Sequence, residues 1–173
     1  MSALQIILTV ALNVAPETGP AEPAPRFWLA AETGASLIEP SLHTALEGGY
    51  RLDRLGLLVR AEWNPWLTLQ QPSARANRGV TNIGVGGELR YFGDRMRSAL
   101  LVGASVLLFR SAFDAPGTIG PFVGIVPTSF RFPWGRHAVR VDPLSLYVLM
   151  PSLGSIPLVV IQYRHSVSLE LTF

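Results

Sequence analysis

The sequence predicts an all-β chain, an eight-stranded antiparallel up-and-down transmembrane β-barrel over residues 26–173. Three observations carry that prediction. Apolar and polar residues alternate with a two-residue period in one stretch after another, a pattern a helix would scramble. Hydrophobic residues make up 49% of the chain and charged residues only 15%, against about 25% charged in a soluble domain. Tight turns alternate with longer links, as in barrels whose strands run up and down across a bilayer.

The chain opens with an apolar run at residues 4–15, too short to span a bilayer as a helix. It reads as the core of a signal peptide over residues 1–15. Residues 16–25, PETGPAEPAP, read as a proline-rich segment without a fold of its own.

Strand-like runs follow. The first, 26–35, sets Phe27, Leu29 and Ala31 against Trp28, Ala30 and Glu32. The second, 43–52, sets Leu46, Gly48 and Tyr50 against Glu47, Gly49 and Arg51. The third, 55–66, sets Leu57, Val59, Ala61 and Trp63 against Leu58, Arg60, Glu62 and Asn64. The fourth, 80–92, sets Ile83, Val85, Leu89 and Tyr91 against Asn82, Gly84, Gly86, Glu88 and Arg90. The fifth, 98–113, is apolar on both parities, so its facing stays open. The sixth, 118–132, holds Pro121 and Pro127, which forfeit ladder bonds or mark a bulge. The seventh, 136–150, begins with Val139 and Val141 against Arg140 and Asp142, then changes phase at Pro143. A helix over 143–161 is the rival there, but three prolines and the Ser152–Ser155 turn favour two strands and a loop. The eighth run closes the chain at 157–173.

Tight turns fall at 52–55, 93–97 and 133–136, and longer links at 36–42, 67–79, 114–117 and 151–156. Without a 25-residue leader, about 18 residues remain per strand and connection, enough for a spanning strand.

The closing run, PLVVIQYRHSVSLELTF, places Val159, Ile161, Tyr163, His165, Val167, Leu169, Leu171 and Phe173 on one face. Gln162, Arg164, Ser166, Ser168, Glu170 and Thr172 occupy the other. The run resembles the final strand of outer-membrane β-barrels. That resemblance implies that Tyr163, Val167, Leu169, Leu171 and Phe173 form an insertion signal for the barrel-assembly machinery. Residues 26–173 resemble, in architecture, the small barrels of the OmpA/OmpX type.

Alternation alone does not say whether the apolar face lines the barrel or coats it. Aromatic residues near strand ends, Phe27, Tyr50, Trp63, Tyr91, Phe130, Phe132, Trp134, Tyr147 and Phe173, suit interfacial girdles. Gly49, Gly84 and Gly86 share a face with charges, as a crowded interior requires. That face is balanced in sign: Glu32, Glu47, Glu62, Glu88, Asp142 and Glu170 stand against Arg51, Arg60, Arg90, Arg131, Arg140 and Arg164. The prediction is an interior charge network wrapped in apolar residues that face outer-membrane lipids.

The fourteen basic residues are all arginine, scattered among twelve acids, and form no basic stripe for nucleic acid. Cysteine is absent, which excludes disulfides and thiolate metal sites. His43, His137 and His165 lack metal-ligand spacing, and no phosphate or dinucleotide fingerprint is present, so no metal or cofactor is expected. The segment Arg164–Glu170 resembles the His-x-Ser motif of lipid A deacylases, but two residues after His165 stands Val167. His165 also lies on the opposite face from Ser166, Ser168 and Glu170. The reading is therefore a monomeric, non-enzymatic barrel in the outer membrane of a Gram-negative-type bacterium. Its role would be structural, or presentation of the 67–79 loop with Arg75 and Arg78. A narrow channel or binding barrel for small solutes, hydrophobic ones included, and a lipid A-modifying hydrolase are the alternatives.

Overall fold

The computed structural model describes residues 27–37, 41–65, 77–109, 119–153, 156–157 and 159–173. The expectations for 1–15 and 16–25, and the roles given to Arg75 and the Arg78 side chain, lie outside the described residues.

Eight strands form the wall: β1 (Phe27–Ser36), β2 (Leu42–Leu52), β3 (Leu55–Asn64), β4 (Asn77–Tyr91), β5 (Met96–Phe109), β6 (Ile119–Trp134), β7 (His137–Leu149) and β10 (Val160–Thr172). Between β7 and β10 a small two-stranded ribbon pairs β8 (Ser152–Leu153) with β9 (Ile156–Pro157). Each wall strand pairs antiparallel with its sequence neighbour, and β1 pairs with β10 to close the barrel. The seam runs from Trp28 opposite Thr172 to Ser36 opposite Arg164. Fold class, strand number and up-and-down topology are those read from the sequence. The described residues of 143–161 lie in strands, the ribbon or short links, and none is helical.

The alternation resolves with charge inside and hydrocarbon outside. On β3, Gly56, Leu58, Arg60, Glu62 and Asn64 turn in, while Leu55, Leu57, Val59, Ala61 and Trp63 turn out. Leu46, Leu57 and Ile83 are each about three-fifths exposed, whereas Glu47, Arg60 and Glu88 are buried. A strand of ten residues, tilted as barrel strands are, covers an apolar band about 25 Å tall.

Positive backbone φ marks the tight turns, at Asp53 (58°), at Phe92, Gly93 and Asp94, and at Gly135 (60°), and also Gly79 (99°) at the irregular start of β4. Aspartate and glycine adopt this region readily, so two-residue reversals such as 53–54 and 135–136 form there.

Two wall strands switch phase at prolines. On β6 the inward residues are Phe122, Gly124 and Val126, then Ser129 and Arg131, with the register slipping against β7 around Thr128. On β7 they are Ala138, Arg140 and Asp142, then Ser145, Tyr147 and Leu149, with Pro143 and Leu144 both outward. The partner β10 slips between Arg164 and Ser166 at the same level. Proline cannot donate to the ladder, so each break sits where one bond is already forfeit. The β7 break corrects one expectation. Tyr147 is no girdle residue; the phase change turns it into the barrel, where it is 2% exposed. Phe27, Trp63, Phe130, Trp134 and Phe173 do face outward. The fifth strand, ambiguous in sequence, turns Arg97, Ala99, Leu101, Ser105 and Leu107 inward.

Candidate functional site

The lumen is filled from end to end by side chains, and its centre is a connected set of ion pairs. Arg60 on β3 is the densest node. Its guanidinium donates to Glu32 at 2.7 and 2.9 Å, to Glu62 at 3.1 Å and to Glu47 at 3.2 Å. Arg140 reaches two of these three carboxylates from β7, Glu47 at 2.9 Å and Glu32 at 3.0 Å. The fork geometry of arginine lets one residue satisfy several carboxylates at once.

Towards the tight turns, Arg97 bridges Glu47 and Glu88, each at 2.7 Å. Arg90 pairs with Glu88 at 2.7 Å and crosses the lumen to Glu170 on β10 at 3.3 Å. Arg131 holds Asp94 at 2.6 Å and Glu170 at 2.9 Å, and Arg51 also reaches Asp94, at 3.3 Å. Towards the long links, Arg164 spans from β10 to Glu62 on β3 at 2.7 Å and also donates to Gln162. His43 Nε2 lies 3.3 Å from Glu32 Oε1. Asp142 accepts from Ser166 Oγ at 3.2 Å and lies 3.5 Å from Arg140 Nε.

Two aromatic rings sit among the cations. The guanidinium carbons of Arg90, Arg97 and Arg140 lie 5.2 to 5.9 Å from the Trp28 ring centroid. Those of Arg60 and Arg164 lie 5.6 and 4.1 Å from that of Tyr147. Inward glycines make the room. A Cβ at Gly49 would come within 2.6 Å of the Trp28 ring, and one at Gly124 within 2.6 Å of Tyr147. At Gly84 it would stand 2.5 Å from Phe122.

All twelve predicted network residues join this assembly: Glu32, Glu47, Arg51, Arg60, Glu62, Glu88, Arg90, Arg131, Arg140, Asp142, Arg164 and Glu170. Sequence reasoning missed Arg97, Asp94, His43, Trp28 and Tyr147. The sequence pattern places Arg97 in the 93–97 turn, but β5 begins at Met96 and pairs Arg97 opposite Arg90. Its parity with Ala99 and Leu101 was the available signal. Asp94 stands in a turn yet folds back over the lumen, which no periodicity reveals. With Arg97 and Asp94 included, the arginines and acids of the interior still match one for one.

Burying an ion costs several kcal/mol unless partners replace its water, and removing one partner of a buried pair costs about 3–5 kcal/mol. Here each acid touches at least one arginine, so the interior is neutral and tightly specified. Its chemistry is that of a plug. Ser166 donates to Asp142 rather than to a histidine. His165 points outward, away from the inward Ser166, Ser168 and Glu170. Among the described residues, no group of three or more histidine, aspartate or glutamate side chains could hold a metal.

A closed eight-stranded barrel with hydrocarbon outside and a paired-charge interior is a small β-barrel of the membrane type. The crystal structure of Neisserial surface protein A (NspA), a small outer-membrane barrel, matches it. The match has a TM-score of 0.58 at 13% sequence identity, covering 88% of this chain and 100% of that one. That likeness establishes the shared fold. No protein-family model matches the chain, and no characterised protein matches it in sequence.

Proposed function

We propose that this protein is a monomeric, non-enzymatic barrel of the outer membrane of a Gram-negative-type bacterium, serving the envelope as a structural element and a mount for its long loops. The observation that carries this reading is the filled lumen. Eight strands enclose a space that side chains just fill, and here the filling is cross-linked from β4 to β10 and from β10 to β3. A plugged barrel offers a rigid stalk and no diffusion path.

The outward apolar surface supports contact with membrane lipids, since a water-facing protein would rarely expose so large a patch. Tyr163, Val167 and Leu169 on β10 and Phe173 just beyond its end stand outward, between 38% and 63% exposed, with Leu171 partly exposed on the same face. This continuous strip supports recognition by the barrel-assembly machinery.

The test is a denaturing gel of detergent-folded protein with and without boiling, followed by planar-bilayer conductance. The expected result is a heat-dependent mobility shift and no conductance. Conductance that changes when Arg60 or Glu88 is replaced would move the protein to the channels. Solubility in plain buffer without a shift would remove it from the membrane altogether.

A further inference from the structure

The outer wall is not uniform. Two adjoining apolar hollows of about 760 and 550 Å³ lie on the outside of β1 to β6, meeting at Leu57, Gly87 and Leu100. Outward glycines open this surface: Gly48 lines the first hollow and Gly87 lines both. Unlike Gly49, neither is required by packing. A Cβ at Gly48 would make an ordinary 3.5 Å contact with Leu29, and one at Gly87 would stand 3.8 Å from the Gly56 carbonyl oxygen. Neither has a positive φ. Glycine inside a strand weakens it and often marks a close approach by another molecule. Two such residues, on β2 and β4 either side of β3, therefore carry a cost that the barrel itself does not explain.

The surroundings define the visitor. The second hollow is flanked by Leu52 and Leu55, the residues on either side of the Asp53–Arg54 turn. Arg54 is exposed there, and its guanidinium makes no ion pair among the described residues. The two other tight turns present exposed Arg95 and Arg136, while Asp94 is occupied inward by Arg51, Arg90 and Arg131. Phe27 and Tyr50, rings 4.7 Å apart, border the first hollow at this same end. From the turns towards the barrel middle the order is cation, aromatic ring, apolar hollow. That is the order of phosphate, ester region and acyl chain in a phospholipid.

We propose that these two hollows hold one phospholipid of the leaflet at the tight-turn end, an acyl chain in each and the phosphate on Arg54. The proposal rests on the membrane reading above and deepens it from general lipid contact to a retained lipid. Tight turns lie on the periplasmic side of such barrels, which selects the inner leaflet.

The test is native mass spectrometry of the full chain folded in detergent with added phosphatidylglycerol, each variant first checked for the heat-dependent gel shift. Wild type should carry one lipid. Gly48→Leu with Gly87→Leu fills the hollows and should cut the one-lipid peak by about fivefold or more, roughly 1 kcal/mol of binding. Arg54→Gln should also lower it, and Ala61→Leu, outward but outside the hollows, should not. Equal lipid retention in all variants would overturn the proposal while leaving the membrane reading intact, as would a wild type that shifts on the gel yet holds no lipid. A two-chain species that the double variant abolishes would assign the hollows to a second copy instead. Loss of the gel shift in wild type would overturn both readings.

Discussion

Val59 and Arg60 are successive residues of β3 and live in opposite worlds. Val59 is 57% exposed on the outer wall, and Arg60 is 3% exposed at the hub of the lumen. The outer surface is held by nothing directional and asks only for hydrocarbon. The inner surface is held by matched charges, each placed by its neighbours, and asks for specific partners at specific distances. One backbone therefore separates two phases, and each phase rejects the chemistry of the other. The usual arrangement of a globular protein is inverted at the outer wall, and inside, the polar network sits beside a buried apolar cluster that includes Leu58, Leu101, Phe122 and Leu149.

Exchanging chemistry across that wall tests the contrast. The largest effect is expected for Arg60→Leu, about 3–5 kcal/mol of folding stability by urea titration in micelles. The low end applies because Glu32 and Glu47 keep Arg140, and Glu62 keeps Arg164. Adding Glu32→Gln to that variant should cost less than the sum of the two single changes, as members of one network do. Next comes Val59→Arg, which puts a charge among lipid tails and should cost about 2–4 kcal/mol if the residue lies near the bilayer midplane. A free exchange at this site would mean that the outer wall meets water.

Gly49→Ala should cost about 1–3 kcal/mol by pressing on the Trp28 ring. Gly48→Ala, one residue away on the outer face, should stay within about 0.5 kcal/mol. A similar penalty at both positions would erase the distinction between the faces. The smallest effect belongs to His165→Ala, within about 0.5 kcal/mol, with unchanged lipid A mass in cells that express it. A change in lipid A mass would revive the hydrolase alternative.

The same contrast explains what could be read from the chain. In β1 to β4 and in β10 the two faces differ in kind, charge against hydrocarbon, so a period of two fixes strand, facing and network together. In β5 the inner face is itself apolar, with Ala99, Leu101 and Leu107 turned in against Leu100 and Val102 turned out. Both parities then look alike, and only a closed barrel decides between them. Proline marked the breaks in β6 and β7 correctly, but not their effect. The consequence for Tyr147 depends on how many residues each break absorbs, which the register against β10 determines. Asp94 and Trp28 were illegible for another reason: Asp94 also meets Arg51 and Arg131, and Trp28 meets Arg90, Arg97 and Arg140, all from strands far apart in sequence.

The seam between β1 and β10 ties the order of assembly to charge. These two strands bring Glu32 and Glu170 to the interior against Arg164 alone, while β2 to β7 with their turns hold the compensating surplus of arginine. Until the first and last strands meet, the open sheet holds matched but separated charges: Arg140 on β7 stands away from Glu32 on β1, and Arg164 on β10 away from Glu62 on β3. Closure is also the longest-range event in the chain, pairing Trp28 with Thr172, and such contacts form slowly. The final hydrogen-bonded ladder and the ion pairs across the lumen therefore form in the same step, which gives the half-built barrel a reason to finish and the finished one a reason not to reopen.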